Sequence, residues 1–169
     1  RVFCDLSGKK ELVGPGGKHY AMVLRDDWSR LLWCYFLTSK SDALKVLRRF
    51  LADTRMIGSD KVLRTDGGIE FRGQFHTVCD EFNILHEYSP PNSPEYNGCA
   101  ERGLAMLEVT SRAARIQAKN LFHGVKFPEN TERLWPESMK WASMSINATA
   151  TSANAGKKSP FEMLHGRRP

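Results

Sequence analysis

Hydrophobic and polar positions alternate from the first residues of the chain. In "RVFCDL", Val2, Cys4 and Leu6 fall on one face and Phe3 and Asp5 on the other, the two-residue period of a strand. "ELVGPGG" interrupts that pattern with a loop. Two runs rich in strand-formers follow, "HYAMVLR" and "LLWCYFL", joined by "DDWSR", so residues 19–37 are predicted to form a hairpin. The near-continuous apolar character of the second run predicts a strand covered on both faces. The period then lengthens. Behind Ser41 and Asp42, which suit a helix start, Ala43, Val46, Leu47, Phe50 and Leu51 recur at helical spacing with Lys45, Arg48 and Arg49 between them. "KVLRTD" predicts a strand, "GQFHTVCDEFN" a short helix built on Phe75, Val78, Cys79 and Phe82, and "ILHEY" a last strand.

Residues 89–98, "SPPNSPEYNG", carry three prolines and a glycine and must be irregular. From Cys99 to about Leu121 there is no proline, and Gly103 is the single glycine. Leu104, Leu107, Ala114, Ala118 and Leu121 form the predicted inward stripe of a long helix. A final helix is predicted to start at Trp135-Pro136-Glu137, where proline is tolerated, and to run to about Ala150. This order predicts an α/β fold: a mixed sheet in which the first strand and the strand before Asp66 are parallel neighbours, with helices on its faces.

The chain of 169 residues is about one domain long. It opens on Arg1 and is expected to be a piece excised from a longer protein. No apolar run approaches the roughly 20 residues that span a bilayer, so no membrane association is expected. Cys4, Cys34, Cys79 and Cys99 form no CxxC pair and the five histidines show no metal spacing; buried reduced thiols and no structural zinc are expected. The net charge of +6 is unevenly spread. Residues 1–101 carry 14 basic and 14 acidic side chains, residues 102–169 carry 11 and 5. A basic C-terminal part beside an acid-containing N-terminal part suits a polyanionic partner such as nucleic acid.

The candidate chemistry sits on three acids. If the first strand and "KVLRTD" are parallel neighbours, Asp5 and Asp66 lie near their C-terminal ends, where open α/β sheets place ligands. Two carboxylates so close stay ionised only with a cation between them, and oxygen ligands suit Mg²⁺ or Mn²⁺. The glycines of "RTDGGIEF" let backbone or substrate approach Asp66. Glu101, in the first turn of the long helix, is the candidate third ligand. It shares a helical face with Arg112, Arg115 and Lys119, cations placed to meet phosphates. Each acid also has a plain reading: Asp5 as a strand-end residue facing water, Asp66 as the start of a tight turn, Glu101 as a first-turn acid favoured by the helix dipole.

"CDL", "DDWSR", "RTDGGIEF", "SPPNSPEYNGCAER", "LWPES" and "SPFEMLHGRRP" occur in an order that resembles the integrase catalytic cores of copia-type LTR retrotransposons, over nearly the whole chain. The resemblance implies an RNase H-like fold with a five-stranded mixed sheet, residues 1–125 being the core and 126–169 a helical extension of it. It implies a metal triad at Asp5, Asp66 and Glu101 holding two Mg²⁺ or Mn²⁺ ions, and 3′-end processing and strand transfer on DNA. Tyr96, Asn97, Arg102, Arg112, Arg115 and Lys119 are the expected DNA contacts. The implied partners are element-end and target DNA and further copies of the chain, with no small-molecule substrate; the implied site of action is the nucleus. Where relatives place basic residues after "ER", this chain has "GLAMLE", with Ala105 and Glu108 on the active-site face. The alternative reading is therefore an inactive relic or co-opted domain that binds nucleic acid or self-associates.

Smaller features have structural expectations. Asp26 and Asp27 are read as hairpin-turn residues, Glu70 as a cap of the helix behind it, and His86 as a structural histidine. Trp28, Trp33, Trp135 and Trp141 are read as core or interface.

Overall fold

The alternation along the strands sorts side chains onto two sheet faces. β1 (Val2–Leu6), β2 (Tyr20–Asp26), β3 (Leu32–Leu37), β4 (Val62–Thr65) and β5 (Leu85–Tyr88) form one sheet in the order β3-β2-β1-β4-β5. β1 and β2, and β2 and β3, pair antiparallel; β1 and β4, and β4 and β5, pair parallel, so the sheet is mixed as expected. The computed structural model describes residues 1–54, 61–90, 96–127 and 130–169, with the side chain of Lys119 outside that set. Half of the proline-rich stretch, residues 91–95, is thus outside the described residues.

Met22 and Leu24 of β2 face one way, under α1 (Ala43–Thr54) and α2 (Gln74–Glu81), in a core with Leu47, Phe50, Phe71 and Phe75. Ala21 and Val23 face the other way, under α3 (Gly98–Leu121) and α4 (Trp135–Ala148), with Leu32, Leu107, Trp135 and Met139. A short α5 (Pro160–His165) follows, its first turn capped by the Ser159 hydroxyl, which accepts from the Glu162 N–H at 3.1 Å. Helices therefore cover both faces. Among the described residues no helix is long and apolar enough to cross a membrane.

The hairpin turn is made as read. Asp26 Oδ2 accepts from the Ser29 N–H at 2.7 Å and its hydroxyl at 2.6 Å, and Asp27 pairs with Arg30 at 3.0 Å. All four cysteines are free, and burial pushes the Cys34 and Cys79 thiols up to about 12.

Other expectations are corrected. The buried line of α3 runs through Ala100, Gly103, Leu107 and Ser111, and Leu121 is exposed. The reason is close packing: a Cβ on Gly103 would stand 2.8 Å from Leu32 Cδ2 and 3.2 Å from Arg25 Cδ, so only glycine lets the helix lie this near the sheet. Phe82, past the end of α2, is exposed, as are Trp28 in the hairpin turn and Trp141 on the outer side of α4. Trp135 is buried, edge-on to Phe36 at 5.5 Å between centroids, with its indole N–H donating to the Leu12 carbonyl at 2.9 Å.

Candidate active site

β1 and β4 run in parallel register, Val2 beside Leu63 and Phe3 beside Arg64. Two residues further on, that register brings Asp5 level with Asp66, which directly follows β4. Cys4 and Leu63 point into the core under α1 and α2. Alternation then turns Phe3, Asp5, Arg64 and Asp66 toward α3. The start of α3 is fastened to the same place: the Asn97 amide donates to the Cys4 carbonyl at 3.2 Å, immediately before Asp5. Glu101 lies one turn along.

The electrostatics record this neighbourhood. Burial pushes the Asp5 carboxyl up to about 6; the charges of Asp66, Glu101 and Glu108 push the same way, against a 2.9 Å bond from the Leu6 N–H. Among the described residues no basic side chain forms an ion pair with Asp5, Asp66 or Glu101. Nor, among them, does any group of three or more His, Cys, Asp or Glu side chains converge tightly enough to hold a metal ion. The two observations differ in range: charge is felt over many Å, whereas Mg²⁺ needs its oxygens at about 2.1 Å. The donor set, all carboxylate oxygen in an unneutralised acidic field, fits a hard divalent cation.

Asp66 is held by its own turn. Its Oδ1 accepts from the Gly68 N–H at 3.1 Å, and a Cβ at Gly68 would stand 3.0 Å from that oxygen and 2.9 Å from Glu70 Oε2. Glu70 does not cap α2, as expected from sequence; it pairs with Lys40 at 3.1 Å, and α2 starts from Gly73 without a side-chain cap.

Behind Asp66 runs a hydrogen-bond relay. The Thr65 hydroxyl donates to the Asp66 carbonyl at 2.9 Å, using its one proton. His86 Nε2, 3.0 Å from that hydroxyl, must therefore be the donor, which leaves its Nδ1 to accept from His76 Nδ1–H at 3.2 Å. Burial and the neighbouring His76 hold His86 down at about 4, so it stays neutral as this relay requires.

These two groups give opposite pH dependences. Asp5 rises from its ordinary 3.8 to about 6, so the folded chain binds that proton more tightly and loses stability as pH climbs through 4 to 6. His86 falls from 6.5 to about 4, so its contribution is lost as pH drops through 6.5 to 4. Measured against the wild type by urea unfolding, Asp5→Asn is expected to gain relative stability as pH rises across this window, and His86→Phe as it falls. A difference independent of pH in either variant refutes the corresponding assignment.

The expected DNA-facing residues divide. Tyr96, Arg102 and Arg112 are exposed. Arg112 lines an open groove of about 750 Å³ together with Lys9, Lys10 and Glu108. Asn97 is buried and spends its amide on β1. Arg115, with its side chain only 11% exposed, donates to Glu132 at 2.8 and 3.2 Å and to the Ser138 hydroxyl at 2.7 Å, so its charge is already matched within the fold. The side chain of Lys119 lies outside the described residues. Lys10, absent from the sequence-based site, pairs with Glu108 and offsets the acid that follows "ER". Lys9-Lys10 is its only trace in the sequence.

No protein-family model matches the chain. It is 30% identical over 149 residues, 86% of its own length, to the retrovirus-related Pol polyprotein from transposon TNT 1-94 of Nicotiana tabacum. It is 27% identical over 152 residues, 89% of its length, to that of transposon RE2 of Arabidopsis thaliana. The chain spans about 10% of each of these relatives. Among solved structures, it superposes on the HTLV-2 integrase catalytic core domain in complex with magnesium (trimeric form) with a TM-score of 0.66 at 16% identity, covering 97% of this chain and 95% of that one. A chain of the simian T-cell lymphotropic virus intasome in complex with PP2A regulatory subunit B56 gamma gives a TM-score of 0.70 at 17% identity, covering 99% of this chain and 54% of that one.

Proposed function

We propose that this chain, an integrase-type core of RNase H-like fold related to copia-type retrotransposon Pol polyproteins, catalyses metal-dependent phosphoryl transfer on DNA, processing 3′ ends and joining them to target DNA. The observation that carries the reading is the place of Asp5 and Asp66, each two residues beyond the parallel Phe3–Arg64 pair, in an acidic field shared with Glu101 and ion-paired by no cation among the described residues. Asp5, Asp66 and Glu101 would hold two Mg²⁺ or Mn²⁺ ions. The chemistry such ions supply is activation of an attacking oxygen and stabilisation of the leaving one.

The protein's own part is placement. β1 and β4 fix two carboxylates by register, the Thr65 hydroxyl and the Gly68 amide orient Asp66, and the Asn97 bond sets the start of α3 over β1. Arg112 and the Lys9-Lys10 pair line the adjoining groove, where a DNA backbone would lie. Joining two DNA ends calls for more than one copy of the chain, and the HTLV-2 core was solved in a trimeric form. The site of action that follows from such a substrate is the nucleus.

A second reading, an inactive relic that binds DNA or self-associates, is favoured by one observation: the three carboxylates do not converge into a metal-holding group among the described residues. Incubating the protein with a labelled DNA duplex in Mg²⁺, Mn²⁺ or EDTA separates the two. Cleaved or joined strands that require the divalent ion support the enzyme. Binding without any new strand, at every metal concentration, supports the relic.

A further inference from the structure

Two histidines outside the acidic site face each other, ring nitrogen to ring nitrogen. His76 is half-exposed near the start of α2, and His86 is buried on β5. Their Nδ1 atoms stand 3.2 Å apart. One belongs to a helix and the other to a strand, so the pair leaves no metal-ligand spacing in the sequence.

The far nitrogen of each ring also meets an acceptor. His86 Nε2–H donates to the Thr65 hydroxyl at 3.0 Å. His76 Nε2 lies 3.7 Å from Asp80 Oδ2, one turn further along α2. The two demands on His76 conflict, because a neutral imidazole has a single N–H. Spent on His86, that proton leaves an Nε2 lone pair turned toward a carboxylate. Spent on Asp80, it leaves two Nδ1 lone pairs opposed across 3.2 Å. Either a second proton on His76 or a cation between the two Nδ1 atoms removes the conflict.

The geometry suits the cation. Two nitrogens each about 2.05 Å from a tetrahedral ion stand about 3.3 Å apart. Histidine ligands commonly donate the other ring N–H to a carboxylate or similar acceptor, which fixes the tautomer and the ring. Asp80 and Thr65 hold those two places here. The rings now point nearly at one another, and a turn of the half-exposed His76 opens the angle for an ion. Imidazole nitrogen selects Zn²⁺, Ni²⁺ or Cu²⁺, whereas Mg²⁺ and Mn²⁺ prefer oxygen.

We propose that His76 and His86 bind a transition-metal ion of the Zn²⁺ type through their Nδ1 atoms, at a site separate from the three acids. No third His, Cys, Asp or Glu side chain converges there among the described residues, so water completes the coordination and the site is open. The bound ion ties α2 to β5. It also fixes His86 as the donor to Thr65, whose hydroxyl donates in turn to the Asp66 carbonyl at 2.9 Å.

The test is Zn²⁺ calorimetry on the untagged, reduced protein at constant pH, with Mg²⁺ in large excess to compete at oxygen sites. Because the readout is binding and the ligands are nitrogen, failure of the phosphoryl-transfer reading leaves it untouched. The wild type is expected to show a saturable Zn²⁺ site. Asp80→Asn is expected to bind the ion about tenfold more weakly, and His76→Gln, which lacks a ligand, more weakly still. His76 is half-exposed, so His76→Gln is expected to keep the wild-type urea midpoint and to carry the test if a His86 variant does not fold. Co²⁺ at the same site is expected to give visible bands that disappear in His76→Gln, without the near-ultraviolet band of a thiolate ligand. Absence of a saturable Zn²⁺ site, equal affinity in wild type and His76→Gln, or a thiolate band with Co²⁺ overturns the proposal.

Discussion

Asp66→Asn is expected to lower metal-dependent DNA cleavage by about 10³-fold or more, the several kcal/mol that a metal ligand contributes to charge stabilisation in the transition state. The fold should scarcely notice. Asp66 is exposed, and among the described residues the one bond its side chain makes is accepted at Oδ1 from the Gly68 N–H at 3.1 Å. The amide oxygen of asparagine can keep that bond, while the charge that draws a divalent cation is gone. Activity and stability are thus expected to part: cleavage lost, urea midpoint nearly unchanged, and the rise in melting temperature on adding Mg²⁺ or Mn²⁺ diminished. Cleavage within tenfold of wild type removes Asp66 from the metal site. A loss matched by a collapse of the urea midpoint would make the residue structural instead.

The place of Asp66 is legible almost from the sequence alone, because strand alternation and register are local properties that propagate. Once "RVFCDL" and "KVLRTD" are parallel neighbours, the two-residue period alone puts Asp5 and Asp66 on one face at one end. The long helix was legible from its freedom from proline, but its buried line was not. A Leu-based stripe predicts Leu121 inward, whereas the buried line keeps Leu107 and otherwise runs through Ala100, Gly103 and Ser111, small residues that carry no hydrophobic pattern, with Gly103 against Leu32 and Arg25 of the sheet. The pairings least visible in sequence join distant segments. Lys10 meets Glu108 across 98 positions, and Arg115 meets Glu132 at the neighbouring helix, where helical spacing alone had pointed it at DNA. The same blindness hid Arg25: on β2 it reads as the polar end of a strand, and only the packing of α3 over its stem makes it a buried charge.

Trp135→Ala is expected to destabilise the protein by about 3–5 kcal/mol, the range for truncating a buried aromatic, against a total near 5–15 kcal/mol for a domain. Three contacts are lost together: burial beneath β2 and β3 with Met139 and Leu107, the edge-on ring of Phe36 at 5.5 Å, and the 2.9 Å bond to the Leu12 carbonyl. The last ties α4 to residues 7–18, the loop that carries Lys9 and Lys10 to the groove. Pro136 seats against the same loop, where a Cβ on Gly14 would stand 2.5 Å from its Cγ. Trp135→Phe keeps most of the apolar contact but strands the Leu12 carbonyl, and is expected to cost about 1–3 kcal/mol. Urea unfolding of the three proteins checks the order. A loss below about 1 kcal/mol in Trp135→Ala would mean that α4 and this loop are held by other contacts. The expected order assigns "LWPES", one of the motifs that carried the family resemblance, to packing. Its variants would then act on the proposed chemistry only through the placement of Lys9 and Lys10, leaving β1 and β4, which position Asp5 and Asp66, in parallel register.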